Sequence, residues 1–160
     1  MAIHKWPFLG RSKSLEVTGG SGSYLIQPDG SKILDAAGGA IVANIGHGRA
    51  EVAETVAKAT GNRGYVVPTW LTPEREALAE ELITHWLPPH LSRIHLTSGG
   101  SEANEAAIKI AVQYFAAKVQ TNKSKIISRS LSYHGTTIAT ASVSGHASRK
   151  RGLEAILGRY

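Results

Sequence analysis

The chain has 160 residues, 42% hydrophobic and 19% charged, enough apolar material for one sizeable core and unlike a disordered chain. It contains no cysteine, which excludes disulfides, thiolate catalysis and cysteine-based zinc sites, and it has no apolar run of the roughly 18 residues that a membrane span requires. The net charge of +6 does not indicate a nucleic-acid surface, because the basic residues are scattered apart from Arg149-Lys150-Arg151 and aromatics make up only 6%.

The first residues, Met1-Ala2-Ile3-His4-Lys5-Trp6-Pro7, are not followed by the apolar core of a signal peptide, so a cytoplasmic protein is expected. Up to Ser14 no period is visible, which predicts an irregular arm. Gly19-Gly20-Ser21-Gly22-Ser23 lacks the strand-before, helix-after context of a dinucleotide fingerprint and predicts a flexible lead-in. Tyr24-Leu25-Ile26 and Lys32-Ile33-Leu34 flank Gln27-Pro28-Asp29-Gly30, which predicts a two-stranded ribbon closed by a Pro-Asp-Gly turn. The small, glycine-rich run from Asp35 to Arg49 is a poor helix former and a plausible wall of a site. His47, between Gly46 and Gly48, reads as a hydrogen-bonded structural residue in preference to a ligand or base.

Ala50 to Ala59 carries Val52, Val56 and Ala59 on one side, predicting an amphipathic helix closed by Gly61. Tyr65 to Trp70 forms an aromatic-bearing loop. Thr72 caps a second helix with Pro73 at its first position and a buried stripe of Leu78, Leu82, Ile83 and Trp86, and Pro88-Pro89 ends it. His85, His90 and His95 match no zinc spacing, so no metal is expected.

Arg93 to Thr97 alternates like a short strand and runs through Ser98-Gly99-Gly100-Ser101, a turn in which two residues tolerate positive φ, into a long helix. Ser101 reads as the N-cap, with Glu102 and Glu105 complementing the dipole, and Ala106, Ala107, Ile110, Ala111, Tyr114 and Phe115 form one apolar face. Such a strand, turn and helix aim free backbone N–H groups at one point, which favours a phosphate, although a Gly-Gly-Ser turn before a helix is also a common connection. Lys125 to Ser128 reads as a second strand, completing a strand–helix–strand unit of right-handed parallel type. Ser132-Tyr133-His134-Gly135-Thr136-Thr137 then falls at the carboxyl edge of that sheet, where open α/β folds place ligands.

The string Ser101-Glu102-Ala103-Asn104-Glu105-Ala106-Ala107-Ile108-Lys109, together with SYHGTTIATASVSG from Ser132 to Gly145, resembles the class III aminotransferases. These are pyridoxal-phosphate enzymes of fold type I, the aspartate-aminotransferase-like α/β fold. The segment from the hairpin to Gly46-His47-Gly48 resembles the family's N-terminal part, which crosses the dimer and lines the substrate entrance. Ile41 stands where some relatives carry a bulky aromatic, and Gly99 where many carry serine. The resemblance implies that Gly100 and Ser101 hold the phosphate of pyridoxal phosphate and that Tyr133 stacks on its pyridine ring, with His134 as a supporting residue. It implies transamination between an amine or amino acid and a keto acid or aldehyde, in a homodimer, with no nucleic-acid or membrane partner.

The same resemblance implies an arm and small-domain segment over residues 1–50 and the first part of the large cofactor domain over residues 51–160. The cofactor lysine and the acidic partner of the ring nitrogen match no position here, since Lys109, Lys118, Lys123 and Lys125 sit in helical or loop contexts. No catalytic residue is therefore expected in this chain. It reads as the N-terminal portion of a longer enzyme, inactive alone and exposing one side of its core. An aminomutase or other pyridoxal-phosphate enzyme of this fold, and a non-catalytic phosphate-ligand module, are the alternative readings.

Overall fold

The structure is a computed structural model and describes residues 15–158. The arm expected before Leu15 lies outside the described residues. The chain divides into two compact units, Met1–Val67 and Pro68–Tyr160.

In the first unit a three-stranded antiparallel sheet joins β1 (Gly19–Ser21), β2 (Tyr24–Ile26) and β3 (Lys32–Leu34) in chain order. The expected ribbon is present, with Tyr24 opposite Leu34 and Ile26 opposite Lys32. Its turn is held by Asp29, whose carboxylate accepts from the Ser31 N–H at 2.9 Å. The expected flexible lead-in is instead a strand. Gly19 pairs with Ile26 and Ser21 with Tyr24, because glycine offers the same ladder groups as any residue while giving no side-chain pattern to read.

The glycine-rich run makes one left-handed helical turn, α1 (Gly38–Ile41), in which Gly38, Gly39, Ala40 and Ile41 have φ of 56°, 58°, 64° and 70°. The two glycines enter this region freely; Ala40 and Ile41 do so at a cost of about 1–2 kcal/mol per residue. The turn is closed by the Ile41 N–H to the Ala37 carbonyl and the Val42 N–H to the Gly38 carbonyl, both 2.8 Å, and it leaves Ile41 82% exposed.

His47 is a structural residue here. Its backbone N–H and carbonyl exchange bonds with Gly22 (2.8 and 3.0 Å), and its Nε2 lies 2.8 Å from Asp35 Oδ2. Gly48 must be small, since a Cβ there would sit 2.6 Å from the Gly20 carbonyl oxygen. The helix α2 (Ala50–Asn62) follows. It runs through Gly61, which does not close it, and ends at Arg63, whose N–H reaches the Ala59 carbonyl.

In the second unit, Thr72 caps α3 (Pro73–Glu81) as expected, its hydroxyl accepting from the Arg75 N–H at 3.3 Å. The helix continues as a wider π turn over Leu82–Trp86. Its stripe is not buried: Leu82 and Ile83 are half-buried, while Leu78 and Trp86 are exposed. The segments expected as strands, 93–97 and 125–128, join no sheet among the described residues. Ile127 is 96% exposed, so its alternating pattern has no neighbouring strand to meet.

The central helix α4 (Gly100–Ala117) is the longest element. Its covered side is a stripe of Ser101, Glu105, Ile108, Val112 and Phe115, each half-buried at helical spacing. The wider apolar face expected from the sequence is uncovered at Ala107, Ile110, Ala111 and Tyr114. Two short helices follow, α5 (Ile138–Val143) and α6 (Ala147–Lys150). No helix of the described residues is long and apolar enough to cross a membrane.

A sizeable core is absent among the described residues. The buried ones are Gly135, Thr140, Val143 and Ser144, all in one stretch beside the start of α4. Gly135, at φ 138°, is pressed against that helix: a Cβ there would lie 2.5 Å from Ser101 Oγ and 2.6 Å from Thr140 Oγ1.

One outcome follows from this packing, and another from the His47 pair. Replacing Gly135 with Ala strains the backbone and overfills the contact, and a loss of about 1–3 kcal/mol is expected by analogy with overpacked cores. Denaturant titration together with exchange of the Thr136 amide checks it; unchanged stability and protection would contradict the packing described.

In the first unit, the His47 hydrogen bond, and after it the Gly39 amide, hold the Asp35 carboxyl below its ordinary 3.8. The ionised form is therefore favoured by folding, so the contribution of this pair is complete above the usual carboxylate range and is lost as pH falls through the lowered value. Exchange protection of the Gly22 and His47 amides should drop in acid, and Asp35→Asn should remove that acid step. Protection that stays flat as the pH is taken well below the usual carboxylate range would refute the clamp.

Candidate functional site

The four residues singled out from the sequence, Gly100, Ser101, Tyr133 and His134, fall on two segments that the structure brings together. One is the start of α4. Its cap is Gly99, extended at φ −175°, and not Ser101 as expected. No residue from Ser98 to Ser101 has a positive φ, so this turn does not use glycine's conformational freedom. Ser101 lies inside the helix, where its hydroxyl accepts from the N–H of Thr136 at 3.1 Å. The residue is thus spent on a contact 35 positions away, which competes with local capping.

The other segment is the 132–137 loop. Asn104 Nδ2 donates to the His134 carbonyl at 2.7 Å, so the loop is bonded to α4 on both sides of Gly135. From behind, the His134 N–H donates to Ser144 Oγ (3.0 Å), the Ser144 hydroxyl donates to the Thr140 carbonyl (2.7 Å), and the Gly145 N–H reaches the Ser132 carbonyl (2.8 Å). Gly145 has no room for a side chain, since a Cβ would lie 2.4 Å from the Arg129 carbonyl oxygen. Asn104, Ser144 and Gly145 were assigned no role from the sequence. The signal for Ser144 and Gly145 is the run Ser142-Val143-Ser144-Gly145, and for Asn104 its place in the Ser101 to Lys109 string, both legible as motifs but silent about their partners.

His134 is therefore anchored through its main chain. Tyr133 is 53% exposed, and the Arg149 guanidinium lies over its ring, 4.8 Å from the centroid.

At the helix start, the N–H groups of Gly100, Ser101 and Glu102 precede the first intrahelical bond, from the Ala103 N–H to the Gly99 carbonyl at 3.0 Å. No acceptor among the described residues takes them. A Cβ built on Gly100 would meet nothing within 4 Å, so the approach to these groups is open on that side. The Glu102 carboxylate folds back to within 2.9 Å of the Cβ position at Gly99. The positive end of an 18-residue helix with free donors suits an anion, and a half-exposed aromatic ring on the neighbouring loop suits a flat ring. The residues present thus fit a planar molecule bearing a phosphate.

A cleft of about 640 Å³ is bordered by Trp70, Leu71, Leu78, Leu96, Ser98 and Glu102 among others, but by none of Gly100, Ser101, Tyr133 or His134. It lies between α3 and the 94–98 segment and does not include the loop contact. The lysines whose contacts are defined lie elsewhere: Lys118 and Lys123 over the Tyr114 and Phe115 rings, and Lys150 on the Ser142 carbonyl.

Comparison with known proteins bears on the family and the fold. The profile of the family described as Aminotransferase class-III matches residues 10–159. A Mycobacterium tuberculosis protein named "Probable aminotransferase" is 43% identical over 128 residues, 79% of this chain and 27% of its own. A taurine–pyruvate aminotransferase of Bilophila wadsworthia is 36% identical over 149 residues, 91% of this chain and 32% of its own. Among solved structures, an amine transaminase from an uncultivated Pseudomonas species, in its PLP-bound form, superposes with a TM-score of 0.87 at 28% identity, covering 99% of this chain and 37% of that one. The chain spans about a third of the length of the curated relatives it matches. With the profile matching nearly its whole length, the chain belongs to the class III aminotransferase family and corresponds to part of the fold-type-I, pyridoxal-phosphate-dependent transferase architecture.

Proposed function

We propose that the whole protein is a pyridoxal-phosphate-dependent aminotransferase, moving an amino group from an amine or amino acid to a keto acid or aldehyde. Family membership supports the reaction class. The observation that carries the reading for this chain is the bonded meeting of Ser101 with Thr136 and of Asn104 with His134, which sets the tyrosine loop beside the free N–H groups of α4. In this reading the N–H groups of Gly100 and Ser101, with the Ser101 hydroxyl, hold the cofactor phosphate. Tyr133 covers one face of the pyridine ring, and His134 holds the loop through its main chain. When bound, pyridoxal phosphate supplies the electron sink that makes bonds at the amino-bearing carbon labile. The chain's own part is to bind and orient; no residue described here is assigned proton transfer.

The division into a small-domain segment up to residue 50 and a cofactor-domain segment from residue 51 belongs to the same proposal, as do a homodimer and a cytoplasmic location. Relatives named for taurine and pyruvate, and for diaminobutyrate and 2-oxoglutarate, make these keto acids the first acceptors to test.

The protein at its full encoded length, supplied with pyridoxal phosphate and a panel of primary amines, is expected to convert pyruvate to alanine or 2-oxoglutarate to glutamate. Ser101→Ala should weaken cofactor binding about tenfold or more, the scale of a hydrogen bond to a charged group. Cofactor binding with no amino transfer to any keto acid or aldehyde would overturn the reaction; failure of the Ser101 variant to change affinity would overturn the phosphate site.

A further inference from the structure

The basic run Arg149-Lys150-Arg151 has no task in the proposed function, and one of its members, Arg149, points back at the tyrosine loop while Lys150 reaches α5. Lys150 Nζ donates to the Ser142 carbonyl at 2.7 Å, in the last turn of α5, where a cation satisfies a carbonyl with no helical partner. The Gly158 N–H donates to Ser142 Oγ at 2.8 Å, and the Arg149 N–H to the His146 carbonyl at 3.1 Å. The Lys150 bond ties the α6 turn to α5, and α5 is tied through Ser144 to the main chain of His134. From that fixed turn the Arg149 guanidinium reaches over the Tyr133 ring, 4.8 Å from its centroid.

We infer that Arg149 is a positioning residue for the cofactor ring: by covering one face of Tyr133 it fixes the plane of the phenol ring and leaves the opposite face for the pyridine. The inference rests on the cofactor reading of Tyr133. A phenol ring has two faces, and with only its backbone anchored it could turn about its side-chain bonds. A planar guanidinium stacked on one face lowers that freedom, so less is lost when the other face is covered. Arg149 itself touches neither phosphate nor pyridine in this scheme. Its effect should therefore appear for a ligand with a ring and vanish for a bare phosphate.

The test measures equilibrium binding of pyridoxal phosphate, and separately of inorganic phosphate, to the cofactor-free protein at its full encoded length. The variants are Arg149→Met, Arg149→Lys, Tyr133→Leu and the double variant Arg149→Met with Tyr133→Leu, with far-UV circular dichroism confirming the fold of each. Arg149→Met is expected to weaken pyridoxal phosphate binding about two- to fivefold, the range of a cation–π contact at an exposed site, with phosphate affinity unchanged. Arg149→Lys, which keeps the cation, should restore part of the loss. In the Tyr133→Leu background the Arg149 change should have no effect, because the ring it acts through is gone. Equal losses for phosphate and cofactor, additive losses in the double variant, or unchanged or tighter cofactor binding in Arg149→Met would each overturn the inference while leaving the cofactor reading intact. Failure of the unaltered protein to bind pyridoxal phosphate would overturn both.

Discussion

The seating of Gly135 against Ser101 is the contact on which the second unit's functional geometry depends. With 2.5 Å between the Ser101 hydroxyl oxygen and the place a Cβ would take, the loop can approach α4 only because residue 135 has no side chain. That approach lets the Thr136 N–H reach the serine hydroxyl and the Asn104 amide reach the His134 carbonyl. Buried polar groups are costly unless paired, and here they are paired with one another: Thr140 Oγ1 bonds to Thr137, and Ser144 bridges Thr140 and His134. Each bond adds little alone, about 0.5–1.5 kcal/mol. Their value is geometric, since several short constraints on one loop leave it a single conformation.

This polar knot differs from an ordinary hydrophobic core. Val143 is the one large apolar side chain buried among the described residues, while Ile110, Tyr114, Leu78 and Trp86 remain exposed on α4, α3 and the π turn. Full burial of such side chains stabilises by about 1.5–3 kcal/mol each, so the uncovered helix faces are where most of the available hydrophobic stabilisation goes unused. The site is therefore held by local hydrogen bonds and by the absence of side chains at Gly135 and Gly145, independently of those faces.

Much of this was legible in the residues, and what was not has specific causes. The hairpin, the Thr72 cap and the α4 segment follow from short-range chemistry: a Pro-Asp-Gly turn, a hydroxyl three residues before an N–H, a long stretch of helix formers. The β1 strand escaped because Gly19 and Gly20 have no side chains whose alternation could be counted. The left-handed turn at Ala40 and Ile41 escaped because nothing in those side chains favours it; two preceding glycines and the bonds to Ala37 and Gly38 impose it. Ser101 was read as a cap since serine prefers that place, yet its hydroxyl is taken by Thr136, a partner no local rule can supply. The segments around Ile94 and Ile126 carry strand patterns, but a pattern specifies which way side chains alternate and a ladder requires a neighbour.

Two histidines, each followed by glycine, illustrate how one local motif can serve different ends. His47 uses its ring, bonded to Asp35, and its backbone, paired with Gly22, to lock a turn onto a hairpin. His134 is held by its backbone alone, between Ser144 and Asn104. In both cases the following glycine permits a close backbone approach, Gly48 to Gly20 and Gly135 to Ser101. The histidine thus marks a point where the chain packs closely on a distant segment. The cations near the site also make packing contacts: Lys150 donates to a carbonyl in the last turn of α5 and Arg149 lies on the Tyr133 ring. Hydrogen bonds from distant residues and glycines without side chains thus fix both turns, and in the function proposed above the second of them binds and orients the cofactor.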